Sequence, residues 1–346
     1  MICVVGAGPV GCYFSSKVNE DVTILEEHPE VGKPVQCSGL LTNEIKSLIN
    51  VKNSFVENKI SSIELNYGEE KANFKLKEKE LVVDRNKFDK HILELALKNG
   101  AKVKYNSKFK DFRNGKVFFG KSKLEANKLI GADGYGSCVA KKFGLWQDRK
   151  FLRSVQIRAK IKDLEKSKYK VYFDACPDFF GWCIPENEEI ARIGLACYEN
   201  PVKYYNKFLK KFDIVKKFNY QSGPIPVWKN IEVQKNNVYL IGDAALQVKN
   251  ISGGGIIPGM RAAEILSECI DENKNYKKSL KKLNKELWFS NFVRNKINKL
   301  SEKDHKNFIH ALKDIDLGKY NRDKPYRNLK LFMNLKLLRI GLKNIF

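Results

Sequence analysis

The sequence predicts an α/β protein. A Rossmann-type dinucleotide-binding domain is interrupted by an α+β domain with an antiparallel sheet, and a helical segment follows at the C-terminus. Three observations predict this. The chain opens on a β-branched run, Ile2–Val5, then a glycine turn, a helix and a second apolar run, Val22–Leu25, which together make a βαβ start. More than 200 residues later, Tyr239-Leu-Ile-Gly242-Asp243-Ala-Ala245 again runs from strand to turn, and a helix follows. Between the two, residues 151–200 carry several strand patterns and few helix signals.

The elements follow in order. A helix is expected over 8–18, and residues 33–50 read as turn-rich and then helical. Residues 60–76 alternate apolar and polar (Ile63, Leu65, Tyr67; Phe74, Leu76), as a half-exposed hairpin does. Phe88, Ile92, Leu95 and Ala96 recur at helical spacing, and Gly100 supplies a stop. Residues 103–105, 117–119, 129–130, 155–161, 170–173 and 190–196 are strand-like, and 238–241 is a buried-type strand running into a helix over 258–270. The expected segmentation is 1–59, 82–145 and 230–270 for the nucleotide-binding domain. Residues 60–81 and 146–229 form the second domain, and 271–346 form a basic helical segment. In that segment Leu331, Leu335, Leu338, Leu342 and Ile345 share one helix face, with Lys336, Arg339 and Lys343 to one side. Such a helix packs on the second domain or lies on an anionic membrane.

Composition narrows the classes. A length of 346 residues suggests about two domains, and 43% apolar residues argue against disorder. Apolar runs fall far short of a membrane span, and the N-terminus reads as a strand, not a signal peptide. Eight Cys without a CxxC pair fit neither a disulfide scaffold nor a zinc ribbon, so a reducing cytoplasm is expected. The four His show no metal spacing, and no metal is assigned. The net charge of +24 admits nucleic acid, an anionic membrane or an acidic partner. Residues 271–346 hold 20 Lys or Arg against 8 Asp or Glu, half of that charge. No RNA-binding module is recognisable, and the aromatics do not interleave with basic residues, so nucleic acid ranks last.

Four constellations carry chemistry. In Gly6-Ala-Gly8-Pro-Val-Gly11, Gly6 permits the tight turn, Gly8 lets a pyrophosphate approach and Gly11 lets the helix pack on the strand. Glu26, ending the second strand, is placed to accept a ribose hydroxyl; the motif alone does not separate FAD from NAD. Asp243 ends a buried strand, where ligands bind in α/β sheets; it either accepts from a ribityl chain or caps a helix. The run Gly253-Gly-Gly255-Ile256 opens the next helix, whose N-terminus would favour an anionic reduced flavin. Asp133, in Gly131-Ala-Asp133-Gly134, touches a cofactor or caps a helix. Arg85 approaches a cofactor or sits at a helix start on the surface.

These blocks, in this order over residues 1–270, resemble the FAD-dependent fold of the aromatic hydroxylases. Two more blocks narrow the resemblance. Pro34-Val-Gln-Cys37-Ser38-Gly39-Leu40 looks like the Pro-x-x-Cys segment of the geranylgeranyl reductases. Phe180-Gly-Trp182-Cys-Ile-Pro185, followed by Ala191-Arg-Ile-Gly194, is similar to that family's Tyr-x-Trp-x-Phe-Pro motif. The resemblance implies FAD contacts at Gly11, Glu26, Cys37, Ser38, Leu40, Arg85, Asp243, Gly255 and Ile256. It implies a lipid tunnel lined by Phe180, Trp182 and Pro185. The implied activity is saturation of isoprenoid C=C bonds in archaeal-type glycerolipids. Phe180 stands where Tyr is usual, Leu40 where Gly is common, and Lys249-Asn250 replaces a pair that often contains Pro.

An isolated trisubstituted alkene needs a hydride at one carbon and a proton at the other, in an apolar pocket with one weak acid. Cys37 is the candidate acid, since a free thiol is mostly protonated at neutral pH. No second G-x-G-x-x-G is present, so electrons would come from a ferredoxin, a deazaflavin or weakly docked NADPH, and a basic surface suits an acidic donor. Peripheral contact with an anionic membrane from the cytoplasmic side is expected. The rival on the same fold is a flavin-dependent hydroxylase, against which the Cys37 and Phe180–Pro185 blocks argue.

Overall fold

The computed structural model describes residues 1–35, 37–313, 315, 321–324 and 326. The chain divides into two compact units, each assembled from three stretches: 1–35, 85–150 and 226–288 in the first, and 36–84, 151–225 and 289–346 in the second.

The first unit is built on a six-stranded sheet in the order Gln234–Lys235, Val238–Leu240, Lys128–Gly131, Ile2–Val5, Val22–Leu25, Lys102–Lys104. All neighbours are parallel except the Gln234–Lys235 edge. Ile2–Val5 and Val22–Leu25 are buried along their whole length, as parallel strands covered on both faces must be. The Pro9–Ser15 helix packs against the Arg85–Lys98 and Ile256–Asp271 helices. Ile2–Val5 sits between the strand that follows it and one from 123 residues further on, so the strand order reverses there. The carboxyl ends at such a switch point form a crevice for ligands. A small antiparallel sheet, Phe109–Arg113, Lys116–Phe119 and Ser122–Glu125, completes this unit.

The second unit holds an eight-stranded sheet. Its order is Ile214–Pro226, Phe151–Ile161, Ile190–Cys197, Phe180–Pro185, Lys168–Tyr172, Val56–Tyr67, Glu70–Val83, Leu40–Leu41. Trp182 lies opposite Gly194 and Val171, and Gly194 opposite Gln156, so these four residues share one face. The other face carries Gly181 and Ile193, and the Pro201–Leu209 helix covers it. Tyr205 donates to the Ile193 carbonyl at 3.2 Å, and a Cβ at Gly181 would stand 2.7 Å from the Phe208 ring. Towards Ala72 and Phe74, the Trp182 face is covered by Phe308, Ile309 and Leu312 of the Glu302–Leu312 helix. Coverage from both sides explains why Phe180–Pro185 is buried throughout and shows no alternation of polarity.

Several boundaries differ from those expected. Residues 36–59 belong with the second unit, because Leu40–Leu41 pairs with Leu81 and Val82. The segment after 271 is divided: 271–288 joins the first unit, and the Glu302–Leu312 helix joins the second. Tyr276 is buried and donates to the Leu240 carbonyl at 3.3 Å. The helix expected late in 33–50 shrinks to a 3-10 turn, Asn43–Ser47. The helix expected over 329–346 lies outside the described residues. No helix among the described residues is long and apolar enough to cross a membrane.

Candidate functional site

The N-terminal turn gives its three glycines distinct tasks. A Cβ on Gly6, where φ is +100°, would sit 2.5 Å from the Ala132 carbonyl oxygen, and one on Gly11 would sit 2.2 Å from the Gly6 carbonyl oxygen. Both positions are therefore fixed by packing. A Cβ on Gly8 would meet nothing within 4 Å. Space stays open beside this residue, which caps the following helix without a side-chain bond. Glu26 is buried at the end of the second strand; its Oε2 accepts from the Ala7 N–H at 2.9 Å and its Oε1 from the His28 N–H at 3.0 Å. The His28 Nδ1 lies 2.7 Å from the same Oε1. A carboxylate has about four acceptor sites, so capacity remains for a ribose hydroxyl. The sequence did not flag His28, because two residues past an acid is not a motif.

At the neighbouring strand end, Gly242 (φ +65°) donates to Gln247 Oε1 at 2.7 Å, and Gln247 donates to the Tyr276 hydroxyl at 3.3 Å. A Cβ on Gly255 would come within 2.7 Å of Asp243 Oδ1, so the glycine makes room for that carboxylate at the start of the Ile256–Asp271 helix. Burial pushes the Asp243 carboxyl up to about 6, with Arg85 pulling the other way. Arg85 itself is gripped by Asp89 through two bonds of 2.9 Å. The folded protein thus holds the Asp243 proton more tightly than the unfolded chain does. The associated stability is present below about pH 4 and lost as pH rises through 6. Asp243→Asn is expected to raise the melting temperature of the ligand-free protein at pH 7.5 and to leave it unchanged at pH 4. Scanning fluorimetry checks this, and a gain of equal size at both pH values would contradict it. Asp133 caps: its oxygens take the Ser137 hydroxyl at 2.6 Å and the Val139 N–H at 3.0 Å.

In the second unit Cys37 is a free, partly buried thiol in a tight turn, and the Gly39 N–H donates to its Sγ at 3.3 Å. Ser38 follows in the turn and Leu40 opens the short edge strand. Trp182 packs against Gly194, where a Cβ would be 2.6 Å from the indole, and its Nε1 donates to Gln156 Oε1 at 2.7 Å. Gln156 in turn donates to Gln221 Oε1 at 2.6 Å. Phe180 stacks on Phe179 with centroids 4.1 Å apart and meets Trp182 edge-on at 6.2 Å. The buried Arg294 guanidinium lies 4.6 Å from the Phe179 ring centroid and 5.3 Å from that of Phe180, and burial pushes it down to about 10. Gln156 and Arg294 were missed because nothing in the local sequence separates either from its polar neighbours.

Gly6, Gly8, Gly11, Glu26, Arg85, Asp243, Gly255 and Ile256 therefore belong to the first unit. Cys37, Ser38, Leu40, Phe180, Trp182 and Pro185 belong to the second. Among the described residues no group of His, Cys, Asp or Glu is arranged to hold a metal ion. An open cavity of about 730 Å³, lined by Lys46, Asn50, Lys59, Lys79 and Leu81 among others, contains none of the candidate residues.

No family model matches the chain. It is 29% identical over 300 residues to an uncharacterized protein of Methanocaldococcus jannaschii, covering 79% of this chain and 76% of that one. It is 28% identical over 316 residues to the digeranylgeranylglycerophospholipid reductase of Thermoplasma acidophilum, covering 79% of each. The chain is similar to the digeranylgeranylglycerophospholipid reductases. Among solved structures, a geranylgeranyl bacteriochlorophyll reductase-like protein from Thermoplasma acidophilum superposes with a TM-score of 0.83 at 21% identity, over 100% of this chain and 98% of that one. A flavin-dependent brominase shares the fold at a TM-score of 0.67 and 14% identity, over 96% of this chain and 99% of that one. The fold is shared with both of these solved structures.

Proposed function

We propose that the protein is an FAD-dependent oxidoreductase that saturates C=C bonds in the geranylgeranyl chains of membrane glycerophospholipids. The observation that carries this reading is the likeness to digeranylgeranylglycerophospholipid reductases over 79% of the chain. The residues present fit the cofactor. The open space at Gly8 admits a pyrophosphate, Glu26 retains acceptor capacity for a ribose, and Asp243 is held beside a glycine cleared for it. When bound and reduced, FAD supplies a hydride.

The chain's own residues do the rest. Phe180 and Trp182, on one face of their strand, contribute an apolar wall against which a prenyl chain lies and from which water is excluded, while Pro185 falls on the opposite face with Gly181. Cys37 gives its proton to the alkene carbon that does not receive the hydride. The S–H bonding pair stays on sulfur, where the Gly39 N–H meets it. Gln156 fixes the plane of the Trp182 indole through its hydrogen bond. The reductant is a ferredoxin, a deazaflavin or NADPH. The positive charge of the chain suits an acidic donor and peripheral contact with an anionic membrane.

The test is expression in a host supplied with unsaturated geranylgeranyl glycerolipids. Lipid mass spectra are expected to gain one dihydrogen for each bond saturated. A yellow protein with unchanged lipids would keep the cofactor and remove the substrate. Oxygen-dependent NAD(P)H oxidation stimulated by an aromatic compound would favour a hydroxylase instead.

A further inference from the structure

The turn that carries Cys37 is tied to a buried ion network of the same unit. Arg192 Nη1 donates to the Ser38 carbonyl at 2.6 Å and to the Val83 carbonyl at 3.0 Å, while its Nε donates to Glu186 Oε1 at 2.5 Å. Glu186 also takes Arg158, whose Nε lies 2.9 Å from each carboxylate oxygen and whose Nη2 lies 2.7 Å from Oε2. Burial alone would raise the Glu186 carboxyl, but the two arginines hold it below the usual carboxylate range. Arg192 and Glu186 are both buried, and Glu57 and Asp84 act on Arg158 from further off.

The Ser38 carbonyl that accepts from Arg192 and the Gly39 N–H that donates to Cys37 Sγ are the two ends of one peptide group. The unbroken series is Glu186 carboxylate, Arg192 guanidinium, Ser38–Gly39 peptide, Cys37 sulfur. A cation bonded to a peptide oxygen polarises that peptide and strengthens its N–H as a donor. Gly39 completes the fit. Its φ is +69°, and a Cβ there would stand 2.1 Å from Arg192 Nη1 and 2.6 Å from the Val83 carbonyl oxygen. Only a residue without a side chain lets the guanidinium reach the peptide.

We propose that Arg192 is a positioning residue for Cys37, acting through the Ser38–Gly39 peptide to hold and polarise the N–H that faces the sulfur. The proposal rests on the function above only in taking Cys37 as the proton donor. As the S–H bond breaks and its electron pair remains on sulfur, the polarised N–H stabilises the charge that develops, and Arg192 touches neither the alkene nor the cofactor.

The test uses the purified flavin-loaded protein and two readouts. One is the rate of Cys37 alkylation by iodoacetamide at pH 8, followed by peptide mass spectrometry. The other is the kinetics of lipid reduction. Arg192→Met is expected to slow Cys37 alkylation about fivefold, because the Gly39 N–H that faces the sulfur is no longer held and polarised through the Ser38 carbonyl. It is also expected to lower kcat while leaving KM unchanged. Arg192→Lys, which keeps a charged donor, is expected to recover most of both. If Arg192→Met does not fold, Glu186→Gln, which frees the other end of the guanidinium, must slow alkylation in the same direction. Alkylation at the wild-type rate in the folded variant overturns the proposal. Slowed alkylation in a protein that reduces no lipid upholds the proposal and removes the alkene reading. Lost lipid reduction with unchanged alkylation overturns the proposal and leaves the alkene reading standing.

Discussion

Cys37→Ala is expected to keep its flavin and to lose alkene reduction by about 100-fold or more, the scale of a general acid removed from a reaction that needs one. An isolated alkene has no heteroatom to share the developing charge, so a proton source at the second carbon matters more than in reduction of a conjugated enone. The turn is built to serve a sulfur: the Gly39 N–H is directed at Sγ. Alanine leaves the turn's backbone bonds in place, since Ser38, Gly39 and Val83 hold them. Loss of activity therefore reports chemistry and not misfolding. The measurement is the visible flavin spectrum of the purified variant together with the mass of the lipids it produces. Full lipid reduction by a yellow Cys37→Ala protein would take the thiol out of the mechanism.

Gly11→Ala is expected to cost the flavin and about 1–3 kcal/mol of stability together, the range for overpacking a close contact. The added carbon falls 2.2 Å from the Gly6 carbonyl oxygen, 3.0 Å from the Ala132 Cβ and 3.2 Å from Val4 Cγ1. None of these can swing aside. Gly6 is tied by its N–H to the Leu25 carbonyl, and Val4 lies within the central strand of its sheet. Gly8→Ala supplies the contrast. Its Cβ meets no protein atom within 4 Å, so the melting temperature of the ligand-free protein is expected to hold while flavin retention falls. Parallel measurements of flavin content and thermal unfolding on the two variants separate packing from binding. Equal melting temperatures for both would contradict the assignment of Gly11 to packing.

The first unit was legible because each residue of its opening turn has one physical task tied to a fixed spacing. The clash that makes Gly11 obligatory and the burial of Glu26 at a strand end both follow from a strand, a tight turn and a helix in succession. The second unit was harder to read. Phe180–Pro185 is buried on both faces and so lacks the alternation that marks a half-exposed strand. The Pro201–Leu209 helix is anchored by only Tyr205, Phe208 and Leu209, too short a stretch to set a period against its many Lys and Asn neighbours. The strand Ile214–Pro226 was missed for the opposite reason, having a single buried residue along its length. The place of Leu40–Leu41 beside Leu81 and Val82 depends on a pairing across 40 residues, which local patterns do not contain. The tie between Arg192 and the Cys37 turn spans 154 residues, and Arg192 in isolation is an ordinary strand arginine.

The strand order of the first unit also bears on how the chain comes into being. Ile2–Val5 is synthesised well before the strands on one side of it, since its sheet runs through Lys128–Gly131 to Val238–Leu240, and Tyr276 donates to the carbonyl of Leu240 in that last strand. At translation rates of about 5–20 residues per second, this strand waits roughly six to twenty-five seconds for Lys128–Gly131. For that interval a wholly apolar strand has Val22–Leu25 on one edge and nothing native on the other, and closing the sheet depends on contacts of long sequence separation, which form slowly. Neither unit can be released by cutting the chain once or rescued by expressing one half. Production of the protein should therefore respond to chaperone supply and growth temperature before it responds to changes at the protein surface.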